Sequence, residues 1–438
     1  MCRELLKKSN SSWLPDTLRL GENSVQIDMP LEKYDVVVVG GGLVGASFAC
    51  ALAASLTGES RSILVIEAAP LGDGTATQPS FDARSTALSY GSRKFFESMG
   101  LWQELQKSAT PILDIEISDR GHLGGAHLSH AEQGVDALGY VVENRSIGAL
   151  LSDQLRTNQN IQLLAPARVE AVTPLQEGMQ LRVSDDAATN EINADLVVLA
   201  DGGRSPVCKQ LGIARTSEAY AQEAIIANIS LDRPHRNIAF ERFTDSGPLA
   251  VLPLADLDGQ SRCSLVWTLR SEQAASYMAM GETELIALLQ ECLGRRAGRI
   301  THIGERFSYP LSLSRTREQI RPGLALLGNV AHTLHPVAGQ GLNLALRDAA
   351  ALVAVLQKAF AAGDAPGQLK VLQQYIELQN LDQERTILFT DQLVKLFSSN
   401  SVLKSLIRKF GLMAIDLLPG MRREFSAHAM GLGRISSG

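Results

Sequence analysis

The sequence predicts an α/β fold with an inserted antiparallel β-sheet and C-terminal helices, and three stretches carry that prediction. Tyr34 to Gly45, YDVVVVGGGLVG, reads as a buried strand, a glycine-rich turn and the start of a helix. ADLVVLADGGRS and LALLGNVAHTLHPVAGQGLNLALRD repeat the pattern, each running an apolar strand into a glycine-bearing turn ahead of a helix. Between these two, short alternating segments from 220 to 270 are broken by proline, glycine and aspartate, as in an antiparallel sheet.

The first stretch is the most informative. Gly40, Gly42 and Gly45 occupy the three positions of a G-x-G-x-x-G fingerprint, with Leu43 and Val44 opening the helix. Gly40 permits the tight turn, Gly42 lets backbone approach a pyrophosphate, and Gly45 lets the helix pack close to the strand. The helix N-terminus then offers free N–H groups and a positive dipole end to phosphates. The second strand, SILVIE, ends at Glu67, 22 residues beyond Gly45, where a carboxylate can accept hydrogen bonds from a ribose diol. A lone fingerprint is weak evidence, because glycine-rich turns are common. The valine strand before it, the alanine-rich helix after it and the acid on schedule favour a Rossmann-like βαβ unit. This unit is shared by NAD and FAD enzymes and leaves the nucleotide open.

Composition narrows the function classes. A chain of 438 residues suits two domains, or one split by insertions. A formal charge of −6 gives no basic footprint for nucleic acid. Five cysteines, scattered and without C-x-x-C spacing, argue against a disulfide framework or a zinc site and suit a reducing, cytoplasmic setting. Residues 1–33 read as a flexible tail without the apolar core of a secretory signal. No apolar run is long enough for a transmembrane helix.

Taken in order, Leu43 to Leu56 reads as a buried helix and 68–80 as a loop. Ser85 or Thr86 is expected to cap a helix bearing Leu88, Phe95, Phe96 and Met99 on one side, with Arg84 just before it, either solvated or reaching bound phosphates. His122, His127 and His130 lie in a glycine-flanked stretch that reads as a hairpin in preference to a metal site. Val141 to Leu155 is helical in period, with Arg145 near its start, and two ribbon-like strands then lead to Asp195–Ala200. That strand delivers Asp201 and Gly202 to a turn of the kind that sets backbone N–H groups beside a nucleotide. In the inserted sheet, Cys263, Leu265, Trp267 and Leu269 alternate onto one face. Such a sheet is where a substrate pocket forms, although core packing is the simpler account of any single residue. The strand Leu324–Leu327 ends at Gly328 and Asn329, and an irregular loop from Pro336 to Gly341 precedes a helix with Leu342, Ala345, Leu346, Ala349 and Val353 on one face. Gly339 and Gly341 permit close approach of a flat ligand. His332 and His335 read as structural. The domains expected are 34–110, 142–215 and 305–375 for the nucleotide, 111–141 and 216–304 for the substrate sheet, and 376–438 as a helical region.

The ordered set GGGLVG with Glu67, DARSTAL, ADGGRS and GNVAHTLHPVAGQGLNLALRD resembles the aromatic-ring hydroxylase family of FAD-dependent monooxygenases. Within it the chain resembles the ubiquinone-biosynthesis hydroxylases. SDRGHLG, AFERFTDSGPLAVLPL, CSLVW and YPLSL are most similar to the branch that hydroxylates 2-polyprenyl-6-methoxyphenol at ring position four. The resemblance runs from Tyr34 to Leu418. It implies that Gly40, Gly42 and Gly45, with Leu43 and Val44, hold the FAD pyrophosphate, that Glu67 holds the adenosine ribose, and that Arg84 and Arg145 contact the cofactor from the side. It places Val169 beside the adenine through its main chain, and gives Asp201 and Gly202 to both FAD and the entering nicotinamide. Gly328 and Asn329 fit the third motif, with Asn329 where much of the wider family has aspartate. Pro336, Gly339, Gln340, Gly341, Leu342 and Asn343 would line the isoalloxazine ring. The implied reaction takes electrons from NAD(P)H and oxygen from O2 through a flavin C4a-hydroperoxide. No catalytic base is singled out, and no metal is implied.

A polyprenyl phenol must be delivered by a membrane surface, a lipid carrier or a ubiquinone-biosynthesis complex. The run from Glu384 to Phe425, with Lys395, Lys404, Arg408, Lys409, Arg422 and Arg423, suits either peripheral contact at the inner face of the membrane or a lid on the core. Two alternatives stand: a sister hydroxylase acting on another ring position or phenol, and a non-catalytic prenyl-binding protein of the same architecture.

Overall fold

The computed structural model describes residues 33–397, apart from 57, 72–83, 120–124, 186–187, 245 and 336–338, with side chains to 392. The expected tail, most of the 68–80 loop, His122, Pro336 and the basic run beyond 397 lie outside the described residues.

The chain opens with β1 (Lys33–Val39), α1 (Leu43–Ser55) and β2 (Ile63–Ile66). Then come β3 (Ser85–Ser89), α2 (Tyr90–Ser98), β4 (Thr110–Ile112), β5 (Asp114–Asp119), β6 (Gly125–Ser129), β7 (Gly139–Glu143) and α3 (Asn144–Thr157). β8 (Ile161–Leu164), β9 (Arg168–Pro174), β10 (Met179–Ser184) and β11 (Thr189–Leu199) follow. The inserted portion holds β12 (Arg215–Leu231), β13 (Ile238–Thr244), β14 (Gly247–Leu257), β15 (Gln260–Arg270), α4 (Ser271–Ala279), α5 (Glu282–Leu293) and β16 (Ile300–Ile303). β17 (Phe307–Thr316), β18 (Ile320–Arg321), β19 (Leu324–Leu326), β20 (His332–Thr333), α6 (Gln340–Ala362) and α7 (Leu369–Phe397) complete it.

The first sheet runs β18-β19-β11-β1-β2-β8, with β9 and β10 attached to β11. Its centre is parallel, since β1 pairs with β2 and β11, and β11 with β19, all in the same direction. A strand buried on both faces needs an unbroken apolar run, and Val36 to Val39 supply one. Val36 and Val38 join the core beneath α1, while Val37 and Val39 join the core on the opposite face. α1 is buried throughout its middle and packs on α3 and α6. Burying a side chain such as Phe48 stabilises the fold by about 1.5–3 kcal/mol.

The second sheet runs β20-β17-β12-β15-β14-β13-β5-β6, with β16 attached to β12. Cys263, Leu265, Trp267 and Leu269 form its core face beneath α4 and α5, so these residues pack and do not line the cavity. A small sheet, β3-β7-β4, packs through Ile112 and Val141 on Ala239 and Leu254 of the large one. β17 and β20 pair in the second sheet although the sequence assigned 305–375 to the nucleotide portion.

Two local expectations are corrected. Residues 85–89 form a strand because Ser85–Ser89 pair with Gly139–Glu143, and the true cap of α2 is Ser89, whose Oγ accepts from Ser92 N. The same pairing makes 141–143 strand, so the helix carrying Arg145 begins at Asn144. No helix among the described residues is long and apolar enough to cross a membrane.

Candidate active site

The first glycine turn is set between two strand ends. Gly40 N donates to Ile66 O at 2.8 Å, and Ala200 N donates to Val39 O at 2.8 Å. Gly40 has φ of +104°, and a Cβ there would lie 2.7 Å from Ala200 O. A Cβ on Gly45 would lie 1.9 Å from Gly40 O, so helix and turn touch through main chain. Gly42 is the N-cap of α1, and no side chain caps that helix. Its first N–H groups are therefore left for a ligand. Glu67 Oε2 accepts from Gly41 N at 2.7 Å and Oε1 from Ala69 N at 2.8 Å. Each oxygen keeps a second lone pair, which suits a ribose diol.

The second and third motifs join the same space. Asp201 accepts from Gly203 N and Ser205 N at 2.8 Å each, which shapes its turn. Gly328 has φ of +66° and starts a 3₁₀ turn against Val44. Arg215 donates to Asn329 O and Thr333 Oγ1, both at 2.9 Å, and ties that turn to β12. Gly339, with φ of +61°, is the N-cap of the 23-residue helix α6, again without a side-chain cap.

Fourteen of the expected positions line one cavity of about 1170 Å³: Gly40, Gly42, Leu43, Val44, Glu67, Arg84, Val169, Asp201, Gly202, Asn329, Gly339, Gly341, Leu342 and Asn343. This exceeds the usual few hundred to about 1,000 Å³ of a site for one small ligand. Gly45 and Gly328 support the lining from behind, and Gln340 is buried in the first turn of α6. Arg145 is not brought to the cavity. It is 58% exposed and pairs with Glu143 at 2.5 Å.

Some of these residues act differently from what their position suggests. Asn343 Oδ1 accepts from Ser89 N at 2.8 Å and Ser92 Oγ at 2.7 Å. Its Nδ2 donates to Ala87 O at 2.8 Å and Gly339 O at 2.7 Å. With every polar atom engaged, Asn343 clamps the start of α6 to β3 and α2. Arg84 lies over the Tyr309 ring, 4.7 Å from its centroid, a cation–π contact on the cavity wall.

His332 Nε2 and Asp348 Oδ2 are 2.6 Å apart and fully buried, and Asp348 Oδ1 accepts from Gln383 Nε2 at 2.9 Å. This network binds β20, α6 and α7 together. His335 is 1% exposed, and burial pushes it down to about 4, so it is neutral at physiological pH. His332 thus ties three elements together. Among the described residues no group of three His, Cys, Asp or Glu is placed to hold a metal.

The opposite wall is the second sheet, from which Ala224, Ile226, Ala250, Leu252, Val266 and Tyr309 line the cavity. Two lining features escape a reading of the sequence. One is β3, hidden because its partner β7 is distant in the chain. The other is Glu241, a carboxylate on this otherwise apolar wall. Burial pushes it up to about 7.

The residues present fit FAD. Two uncapped helix N-termini, a turn that only glycine can make and a carboxylate with spare lone pairs open on one cavity, which continues onto an apolar face. An FAD-dependent oxidoreductase with an aromatic hydroxylase fold is the class this site defines. Comparison with known proteins agrees. The FAD binding domain family model matches residues 33–377. The ubiquinone hydroxylase UbiL of Rhodospirillum rubrum is 37% identical over 91% of this chain and 89% of its own length. The 3-demethoxyubiquinol 3-hydroxylase of Escherichia coli is 30% identical over 92% of this chain and its whole length. The crystal structure of p-nitrophenol 4-monooxygenase PnpA from Pseudomonas putida shares the fold, with a TM-score of 0.73 at 20% identity, covering 92% of this chain and 99% of that one. The chain belongs to the ubiquinone-biosynthesis family of FAD-dependent monooxygenases, flavoproteins for which NAD(P)H is the typical co-substrate.

Proposed function

We propose that this enzyme hydroxylates a polyprenylated phenol, 2-polyprenyl-6-methoxyphenol, at ring position four. One observation carries the reading: a single large cavity joins the glycine turns and helix N-termini to an apolar sheet face. That combination suits a dinucleotide along one wall and a greasy aromatic ring against the other. FAD, when bound, supplies the passage of electrons from NAD(P)H to O2 and the electrophilic oxygen that the phenol receives. The chain's own residues do the rest. Glu67 takes the ribose, the backbone at Gly40 and Gly42 admits the pyrophosphate, and Asp201 and Gly202 border the cofactor and the incoming nicotinamide. The N–H groups that open α6 would hold the ring system of the cofactor, where their dipole would favour negative charge on its reduced form. Ala224, Ile226 and Val266 exclude water from the reacting ring.

A second ring position is the alternative, because the Escherichia coli relative is named for hydroxylation at position three. Deleting the gene and identifying the accumulated quinone precursor decides between them. A precursor lacking oxygen at position four supports the proposal, and one lacking oxygen elsewhere on the ring overturns it. The purified protein should be yellow and should oxidise NAD(P)H faster when a phenol is added. A colourless protein without that activity would instead fit a non-catalytic prenyl binder. From the apolar tail of the proposed substrate we also infer that the enzyme works in the cytoplasm against the inner face of a membrane, alone or within a biosynthetic complex. Co-sedimentation with anionic liposomes is the expected result, and its absence removes the membrane contact.

A further inference from the structure

The sheet wall of the cavity contains one carboxylate that the function above leaves unused. Ile117, Glu241, Ala250, Val266 and Ile226 stand in register across β5, β13, β14, β15 and β12. All five line the cavity. Residues directly opposite one another across paired strands share a face, so Glu241 sits in a row of otherwise aliphatic side chains. The adjacent row, Phe240, Val251, Leu265 and Ala227, faces the core under α4 and α5. A slip of one residue in β13 would exchange the faces of Phe240 and Glu241 and take Glu241 out of this row.

Glu241 is half-buried, and its remaining exposure opens on the cavity. No hydrogen bond or ion pair engages its carboxylate among the described residues. Asp119 stands two residues along β5 from Ile117, and Arg84 and Tyr309 are ionisable groups that also line the cavity. Burial, and none of these, is what raises its affinity for a proton. Leaving a carboxylate unpaired among apolar groups destabilises a fold, so such groups concentrate where chemistry needs them.

We propose that Glu241 receives the phenolic O–H of the substrate and takes its proton as the ring is hydroxylated. This rests on the phenol-hydroxylase reading. The phenolic O–H bond breaks and a carboxyl O–H bond forms, while the oxygen's electron pair moves into the C–O bond. A ring-carbon pair bonds to the outer oxygen of the peroxide that O2 and NAD(P)H would provide through FAD, and the O–O bond of that peroxide breaks with its electron pair staying on the inner oxygen. The hydrogen on that carbon then leaves to water as a proton, its C–H pair restores the aromatic ring, and Glu241 returns its proton to the phenolic oxygen. A base whose affinity lies between that of an ordinary carboxylate and a phenol is closer to the operating pH, which favours this transfer.

The test uses the FAD-loaded enzyme with a short-chain prenylated 2-methoxyphenol and its O-methyl ether. Binding is read from the perturbation of the flavin spectrum, so this arm does not depend on turnover. Wild type should bind the phenol roughly tenfold or more tightly than the ether, and Glu241→Gln should lose most of that preference. Equal affinities in wild type overturn the proposal. In turnover, product formation by wild type should fall as pH drops through about 7, because the base is protonated there. Glu241→Gln should form hydroxylated product about 100-fold more slowly, without that limb of the profile. Glu241→Asp should keep the limb at reduced rate. A Gln variant with the wild-type rate and profile also overturns the proposal. Wild type that binds the phenol selectively yet yields no hydroxylated product defeats the phenol-hydroxylase reading while leaving Glu241 as the group that holds the hydroxyl.

Discussion

Along one wall the cavity presents main chain: the turn at Gly40, the uncapped starts of α1 at Gly42 and of α6 at Gly339, and the turn after Asp201. Along the other it presents side chains, aliphatic groups and Glu241 in register across five strands. Main chain recognises what every dinucleotide has in common, phosphate and ribose, and it does so at positions fixed by local sequence. Side chains on a sheet can be exchanged without disturbing the ladder, so this wall is the one free to specify a substrate. The two walls should therefore fail independently.

The largest effect belongs to the backbone wall. Gly42→Glu puts a carboxylate where the pyrophosphate must approach and should yield colourless apoprotein, read from the ratio of flavin to protein absorbance. Retention of stoichiometric flavin would overturn the assignment of this turn. Next is the clamp that ties the start of α6 to β3 and α2. Asn343→Asp keeps the size of the side chain but replaces the donor to Ala87 O and Gly339 O with a second acceptor. Two carbonyls lose their partner inside the protein, and the unfolding free energy should fall by about 3 kcal/mol in urea titrations. A loss under about 1 kcal/mol would mean that α6 is positioned by packing alone.

On the sheet wall the expected effect is smaller and of another kind. Ala250→Phe adds a ring beside Glu241, in the row that the substrate is proposed to cover. Affinity for a prenylated phenol should weaken about tenfold, or about 1.4 kcal/mol, while flavin stays stoichiometric. Loss of flavin in this variant would merge the two walls into one unit and remove the distinction drawn above.

The difference between the walls also explains what the sequence could show. Gly40, Gly42, Gly45 and Glu67 were legible because strand, turn, helix and acid follow one another in the chain, and each residue has a conformational reason to be there. The strand at Ser85–Ser89 was not, because Ser85 and Thr86 look like helix caps until Gly139–Glu143 arrives to pair with them. Glu241 was hidden for a related reason. In NIAFERFT either Glu241 or Arg242 can face inward, and only the pairing with β5 and β14 decides which. Asn343 was placed at the correct end of α6, but its four hydrogen bonds run to protein.

Arg145 separates position in the chain from position in space, and it carries the smallest predicted effect. The family resemblance, and not its place in the chain, implied a contact with the cofactor. The strand β7 runs through Glu143, however, so the helix begins one residue before Arg145 and its guanidinium turns back to that glutamate. An exposed pair of this kind contributes at most about 1 kcal/mol. Arg145→Ala should leave flavin affinity within about twofold of wild type and lower the unfolding free energy by about 0.5 kcal/mol. A tenfold loss of flavin affinity would show that Arg145 leaves Glu143 when the cofactor binds, and would extend the nucleotide wall from backbone to side chain at this one point.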